Sequence, residues 1–367
     1  MRPIHLLIKP ASGSCNLRCR YCFYADEVSR RSIPNYGFMS LEALETIVRK
    51  TMQKASECAF MFQGGEPTLA GLEFYRRLVD LVARYNVRGI PVQFAIQTNG
   101  TRIDDEWAAF LAEHNFLTGL SLDGIAETHD RWRCDTAGGT YLHVLEAADR
   151  LTKAGAEFNI LTVVTAQVAK RISAIYEDYR QKGFLYQQYI PCLDPLDQNG
   201  ISQVYALTPA LYTRFLKKLF DYWYADQKAG KFVYIRQFEN YRLIMKGYPP
   251  ENCSMGGGCS RQLVVEADGS VFPCDFYVLD EYRLGNILHN SFEELEDTRE
   301  RLGILQRSRC LAEGCRHCEW LWLCRGGCMR EREPLPPAGN GRLRFCESLK
   351  EFYRYMVPRM QELLVIC

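Results

Sequence analysis

The chain has 367 residues, with 45 Lys and Arg against 44 Asp and Glu and a net charge of +1. That length has room for two domains and a large core, and the balanced charge offers no field for nucleic acid or an anionic membrane surface. No stretch approaches the roughly 18 apolar residues of a membrane-spanning helix, and no signal-peptide pattern opens the chain. The expected setting is therefore cytoplasmic, with no nucleic-acid or membrane partner. In that reducing setting, sixteen cysteines point to metal ligation rather than disulfides.

In chain order, apolar or β-branched runs predict strands at 4–8, 59–62, 92–97, 116–122, 158–164 and 185–190. Between them, helical periodicity covers 41–52, 72–85, 106–114, 141–153 and 172–181, and a long aromatic-rich helix is predicted over 209–229. Strands alternating with helices argue for an α/β fold with a parallel sheet. Composition shifts at Tyr248-Pro249-Pro250, after which glycine and cysteine dominate. We divide the chain into 1–235, which carries the βα units, and 236–367, which carries most cysteines and a C-terminal helix. Within the second part, Asp268-Gly269 predicts a hairpin turn between 262–266 and Val271-Phe272.

The most informative motif follows the first strand: Cys15, Cys19 and Cys22, spaced CxxxCxxC. Closed zinc or iron–sulfur sites take four protein ligands, so three thiolates on one short loop suggest a cluster with one iron left open. A zinc knuckle completed by a residue such as His5 is the alternative. Gln63-Gly64-Gly65-Glu66-Pro67 follows the second strand, where glycines let backbone approach a ligand. A tight turn before a helix would read the same. Gln97-Thr98-Asn99-Gly100 ends the third strand, and Ser121-Leu122-Asp123-Gly124 ends the fourth, with His129-Asp130-Arg131-Trp132-Arg133 soon after.

Taken together, Cys15-Asn-Leu-Arg-Cys19-Arg-Tyr21-Cys22, the GGEP run and SLDG…HDxxR resemble the radical S-adenosylmethionine (SAM) enzymes. That resemblance implies a partial (β/α)6 TIM-like barrel with its site at the C-terminal strand ends. It also implies a [4Fe–4S] cluster whose open iron chelates SAM and yields a 5′-deoxyadenosyl radical. By the same likeness, Tyr21, Gly65, Glu66, Ser121 and Arg133 would bind SAM, with Arg131 competing for Arg133's role, and Leu193 would lie against the adenine.

The later cysteines Cys315, Cys318, Cys324 and Cys328 form CxxCxxxxxCxxxC, which resembles the SPASM extension of peptide-modifying radical SAM enzymes. The likeness implies two auxiliary [4Fe–4S] clusters, three in all. Cys253, Cys259, Cys274 and Cys328 would hold one, and Cys315, Cys318, Cys324 and Cys346 the other; two structural zinc sites would also suit the spacing alone. Cys58, Cys134, Cys192, Cys310 and Cys367 are then left over, with Cys310 close enough to Cys315 to substitute.

Four runs extend the likeness over nearly the whole chain: LLIKPAS, FQGGEPTLAG, CLDPL and PCDFYVLD. They look like the anaerobic sulfatase-maturating enzymes, which make Cα-formylglycine. An aspartate in a loop most often accepts backbone amides, but the resemblance implies that Asp275 is the general base. Tyr24 and Gln63 would contact an extended sulfatase peptide or unfolded sulfatase, and a flavodoxin- or ferredoxin-type donor would supply electrons. The other readings are a SPASM maturase forming thioether or carbon–carbon crosslinks and a non-enzymatic iron–sulfur carrier. CxxxCxYC begins at residue 15, so no leader-gripping module is expected before it.

Overall fold

In the computed structural model, residues 1–196, 204–332 and 341–366 are described. Cys367 lies outside them. Among the described residues there are ten strands: β1 (Arg2–Ile8), β2 (Ala55–Phe62), β3 (Val92–Thr98), β4 (Phe116–Ser121), β5 (Phe158–Val164), β6 (Tyr186–Pro191), β7 (Tyr234–Ile235), β8 (Leu263–Val265), β9 (Ser270–Phe272) and β10 (Gly285–Asn286). The chain forms two compact units: Met1–Ser121 with Arg133–Phe158 and Arg261–Gly303, and Leu122–Trp132 with Asn159–Ser260 and Ile304–Cys367.

In the first unit the strand order is β10-β9-β8-β1-β2-β3-β4. β1 to β4 run parallel, with Ile8 beside Phe62, Phe62 beside Ile96 and Ile96 beside Thr118. Helices Leu41–Lys54, Leu72–Tyr85 and Asp105–Glu113 connect them. Ser40 and Asp104 cap the first and third of these by accepting the backbone N–H of Ala43 and Trp107, which satisfies donors that a helix start leaves open. Aromatic packing ties helices to strands: Tyr75 meets Phe62 at 5.0 Å and Trp107 at 5.1 Å, and Phe94 stacks on Phe116 at 4.8 Å. Parallel strands bring all their C-terminal ends to one edge. There lie the loops after Ile8, Phe62, Thr98 and Ser121.

The predicted hairpin forms, with β8 and β9 antiparallel and Gly269 at φ +82°. Its docking was not legible in the sequence. β8 adds to β1 in parallel, pairing Leu6 with Leu263 and Ile8 with Val265, so a distant segment of the chain extends the sheet. A three-residue strand shows no periodicity, and its place is set by burial. Leu7, Tyr24, Val264, Phe272 and Val278 form a cluster there.

In the second unit β5, β6 and β7 run parallel. Helix Ala166–Gln181 starts six residues before the predicted 172, because Thr165 caps it by accepting from Val168 N. Helix Pro209–Lys228 begins at a Thr208 cap with proline in its first turn, where the missing N–H costs nothing. Its Trp223 is fully buried and donates to Val233 O at 3.0 Å.

Phe272→Ala tests the hairpin docking. Removing this fully buried ring is expected to cost about 3–5 kcal/mol, read as a lower urea midpoint of the first unfolding transition.

Candidate active site

The three-cysteine loop leaves β1 through tight turns in which Ser12 N bonds Lys9 O at 3.1 Å and Ser14 N bonds Ala11 O at 2.9 Å. Ser12 itself has φ 47°. Cys22 N donates to Cys19 O at 3.1 Å, and the next residues open the helix Phe23–Val28. Leu17 N donates to Cys15 Sγ at 3.4 Å. Cys15 keeps exposed surface, yet the protein crowding it pushes its thiol up to about 11, chiefly by desolvation; Glu66 and Cys22 add to this, while the Leu17 N–H and Arg133 oppose it. Such a thiol is a poor thiolate alone. A bound iron centre supplies the positive charge that deprotonates it, so the donor set fits a cluster. His5 is exposed within β1.

The GGEP loop is locked onto this segment. Gly65 N donates to Ser12 O at 2.9 Å and Glu66 N to Ser14 O at 2.8 Å. Gly64 has φ +124°, and a Cβ on Gly65 would lie 2.0 Å from Ser14 O. Both glycines are therefore required by the backbone itself. Glu66 is buried, which pushes its carboxyl up, against the opposing pull of Asn99 N, Thr68 and Thr98. Its Oε1 accepts from Thr68 N, Thr68 Oγ1 and Thr98 Oγ1, and its Oε2 from Asn99 N at 2.8 Å. Asn99 then reaches the cysteine loop by donating to Asn16 Oδ1 at 2.9 Å. Glu66 thus joins the loops after β2 and β3.

Ser121 ends β4 and accepts from Gln97 Nε2 at 3.0 Å. Arg133 is buried with its guanidinium 5.5 Å from the Tyr21 ring, whereas Arg131 is exposed beside Trp132. The structure therefore separates the two arginines and puts Arg133 at the cysteine loop. Leu193 belongs to the second unit, half-buried, in a recess with Asp194, Arg330 and Arg344.

Asp275 opens a short turn, Asp275–Tyr277, which packs on the helix after Cys22 through Phe276 edge-on to Phe23 at 4.9 Å. Its Oδ1 accepts from Lys9 Nζ, and its Oδ2 accepts from Gln63 Nε2 at 2.9 Å. Lys9 is 0 % exposed and Asp275 8 %. The ammonium also sits 3.5 Å from the centre of the Tyr24 ring. Tyr24 is buried and donates its hydroxyl to Glu266 Oε1, which also accepts from Arg31 at 2.6 Å. Burial, and then Glu266, push the Tyr24 phenol well above its usual range. Of the two predicted peptide contacts, Tyr24 is thus enclosed with its hydroxyl engaged, and half-buried Gln63 is held by Asp275.

Lys9, Glu266 and Arg31 were not singled out from the sequence. The available signal was the lysine of LLIKPAS, a charge directly after an apolar strand.

In the second unit the thiols sort into two groups. Cys328 is pushed up first by burial, with Glu331, Cys259 and Cys253 adding. Cys324 is pushed up by burial and by Cys346 and Cys315; Cys315 in turn feels Cys346 and Cys318. Cys274, in the first unit, is half-buried. Cys310 stands apart: it is exposed, with its Sγ toward Gln306 O and its carbonyl bound by Arg332 at 2.7 Å. Among the described residues no three His, Cys, Asp or Glu side chains converge tightly enough for a single metal ion.

Residues 10–178 match the radical SAM superfamily and residues 253–319 match SPASM, an iron–sulfur cluster-binding domain. The chain is 44 % identical over 362 residues to the cysteine-type anaerobic sulfatase-maturating enzyme of Clostridium novyi, covering 98 % of this chain and 97 % of the relative. The family is thereby decided. This chain belongs to the anaerobic sulfatase-maturating enzymes. The serine-type enzyme of Klebsiella aerogenes is 32 % identical, over 96 % of this chain and 84 % of its own. Among solved structures, native anSMEcpe with bound AdoMet and the Kp18Cys peptide superposes with a TM-score of 0.94 at 43 % identity, covering 100 % of both chains. The fold is accordingly a radical SAM α/β core followed by a SPASM domain, and the protein is a radical SAM oxidoreductase whose cofactors are SAM and iron–sulfur clusters. No helix among the described residues is long and apolar enough to cross a membrane.

Gly65→Ala tests the coupling of the two loops. The added methyl must displace Ser14, which directly precedes Cys15. Anaerobically reconstituted variant should carry about four fewer iron atoms per chain than wild type, one cluster's worth.

Proposed function

We propose that this enzyme oxidises a cysteine or serine in a sulfatase peptide to Cα-formylglycine, with Asp275 as general base. The observation that carries the base assignment is Asp275 itself: a nearly buried carboxylate with one oxygen held by Lys9 and the other by a displaceable neutral amide, Gln63. The cofactors, when bound, supply a 5′-deoxyadenosyl radical to take a hydrogen atom from Cβ and an auxiliary cluster to accept one electron. Asp275 takes the remaining proton from the thiol or hydroxyl. Hydrogen atom, proton and electron together make the two-electron oxidation. Serine then gives the aldehyde directly, and cysteine gives a thioaldehyde that water converts to the aldehyde with release of sulfide.

The supporting roles are those the family likeness implies. Cys15, Cys19 and Cys22 hold the SAM-binding cluster, and buried Arg133, beside Tyr21, offers a planar fork to the SAM carboxylate. Gly65 and Glu66 shape the backbone that meets its amino group, Ser121 the ribose side, and Leu193 the adenine. The family spacing assigns Cys253, Cys259, Cys274 and Cys328 to one auxiliary [4Fe–4S] cluster and Cys315, Cys318, Cys324 and Cys346 to the other, three clusters in all. Gln63 gives up Asp275 to meet the peptide, and Tyr24 serves the site through the Lys9 ammonium that rests on its ring. We assign residues 1–235 to radical chemistry and 236–367 to the auxiliary clusters, a division of function. A flavodoxin- or ferredoxin-type donor in the cytoplasm would supply the first electron.

A peptide bound mainly through its extended backbone tolerates side-chain changes except at the target. Cysteine, the more acidic donor, should react faster than serine, in line with the higher identity to the cysteine-type relatives. Reduced enzyme, SAM and cysteine, serine or alanine versions of one CxPxR-type peptide should give formylglycine mass from the first two and none from alanine. A product lighter by two hydrogens but unreactive to aldehyde reagents would instead mark a crosslinking maturase.

Asp275→Asn keeps the size of the side chain but cannot accept the proton. It should lower formylglycine formation by about 100-fold or more while still producing 5′-deoxyadenosine in the presence of peptide. Product formation at the wild-type rate would place the base elsewhere.

A further inference from the structure

We infer that Lys9 is the positioning residue for the base: its buried ammonium fixes Asp275 Oδ1, so that Oδ2 is the oxygen presented to the substrate. This rests on the reading of Asp275 as base and adds which oxygen works and what holds it. The two oxygens have unequal partners. Oδ1 is held by a fully enclosed cation, whereas Oδ2 is held by a half-buried neutral amide. Charge-assisted hydrogen bonds are the stronger kind, and a buried ammonium that loses its anion has no water to turn to. A donor arriving with the peptide therefore displaces Gln63 and leaves Lys9 in place.

Lys9 is itself immobilised from three sides. Its N–H bonds Val265 O at 2.8 Å, which ties it to β8. Gly64 lies against its stem, so closely that a Cβ there would be 3.1 Å from Lys9 Cβ. Its ammonium rests on the Tyr24 face, and Tyr24 is pinned through its hydroxyl by Glu266, which Arg31 pairs. A lysine normally swings on four rotatable bonds. Here the packing removes that freedom, which is what a positioning group requires.

The test is a double-mutant cycle on the reconstituted full-length enzyme with SAM and the cysteine peptide. Lys9→Met keeps the stem and removes the ammonium. It should lower kcat for formylglycine by about 100-fold, the scale of a misplaced catalytic group, with the peptide KM, iron content and 5′-deoxyadenosine formation near wild type. Groups that act as a unit are non-additive, so the double variant with Asp275→Asn should be no slower than Asp275→Asn alone. Near-normal kcat for Lys9→Met beside an inactive Asp275→Asn would overturn the role of Lys9 and leave the base intact. Normal turnover by Asp275→Asn would overturn the base reading itself. Losses that multiply in the double variant would also overturn the inference. If Lys9→Met does not accumulate with wild-type iron, Lys9→Leu, which likewise has no donor toward Oδ1, takes its place with the same expected loss. Failure of both to fold would make the lysine a folding residue and overturn its positioning role.

Discussion

A lysine ammonium with no exposed surface must find an anion, because burying a charge without one costs far more than any single packing contact returns. In this enzyme the anion for Lys9 is Asp275, 266 positions away in the chain. Breaking a buried pair of this kind typically costs about 3–5 kcal/mol, a large share of a domain's net stability. The pair therefore commits the two ends of the first unit to one another. The β8–β9 hairpin docks on β1, Glu266 leaves β8 beside Lys9, and the Asp275 turn packs on the helix that follows Cys22.

That commitment also explains why the loops around the three-cysteine motif tolerate so little. Lys9, the Ser12–Ser14 turn and the Gly64-Gly65 turn occupy one small volume, and the backbone amides of Gly65 and Glu66 are spent on Ser12 and Ser14. Glu66 extends the same lock to Thr98 and Asn99, and Asn99 returns it to Asn16. A carboxylate saturated with donors is a structural hub. The rigidity it gives is what an open iron and its ligand need, since small displacements at a reacting centre are costly.

The thiols show the opposite economy. Several are pushed toward the neutral form by burial and by one another, so the protein alone favours thiols, and a cationic iron–sulfur core would be what draws them to thiolates. Their grouping in the second unit, Cys253 and Cys259 with Cys328 and Cys315 with Cys324 and Cys346, is a property of folded geometry that many spacings could have produced. Cys310 illustrates the point. Sequence proximity made it a candidate ligand, but its sulfur faces a backbone carbonyl on an exposed turn.

The sequence by itself determined the parallel βα order, the hairpin turn, the three-thiol loop and the family likeness, because each is written in local periodicity or short spacing. The six strands lie within four residues of where those patterns put them, as do the principal helices apart from the early start at Ala166, and the hairpin turns at Asp268-Gly269. Only the tertiary structure decided which arginine lies at the cysteine loop, that Tyr24 is enclosed, that β8 extends the sheet beside β1, and that Lys9 meets Asp275. These are contacts between segments far apart in the chain, set by burial and by the need to pair buried charge, and neither force leaves a periodic trace along the residues it joins.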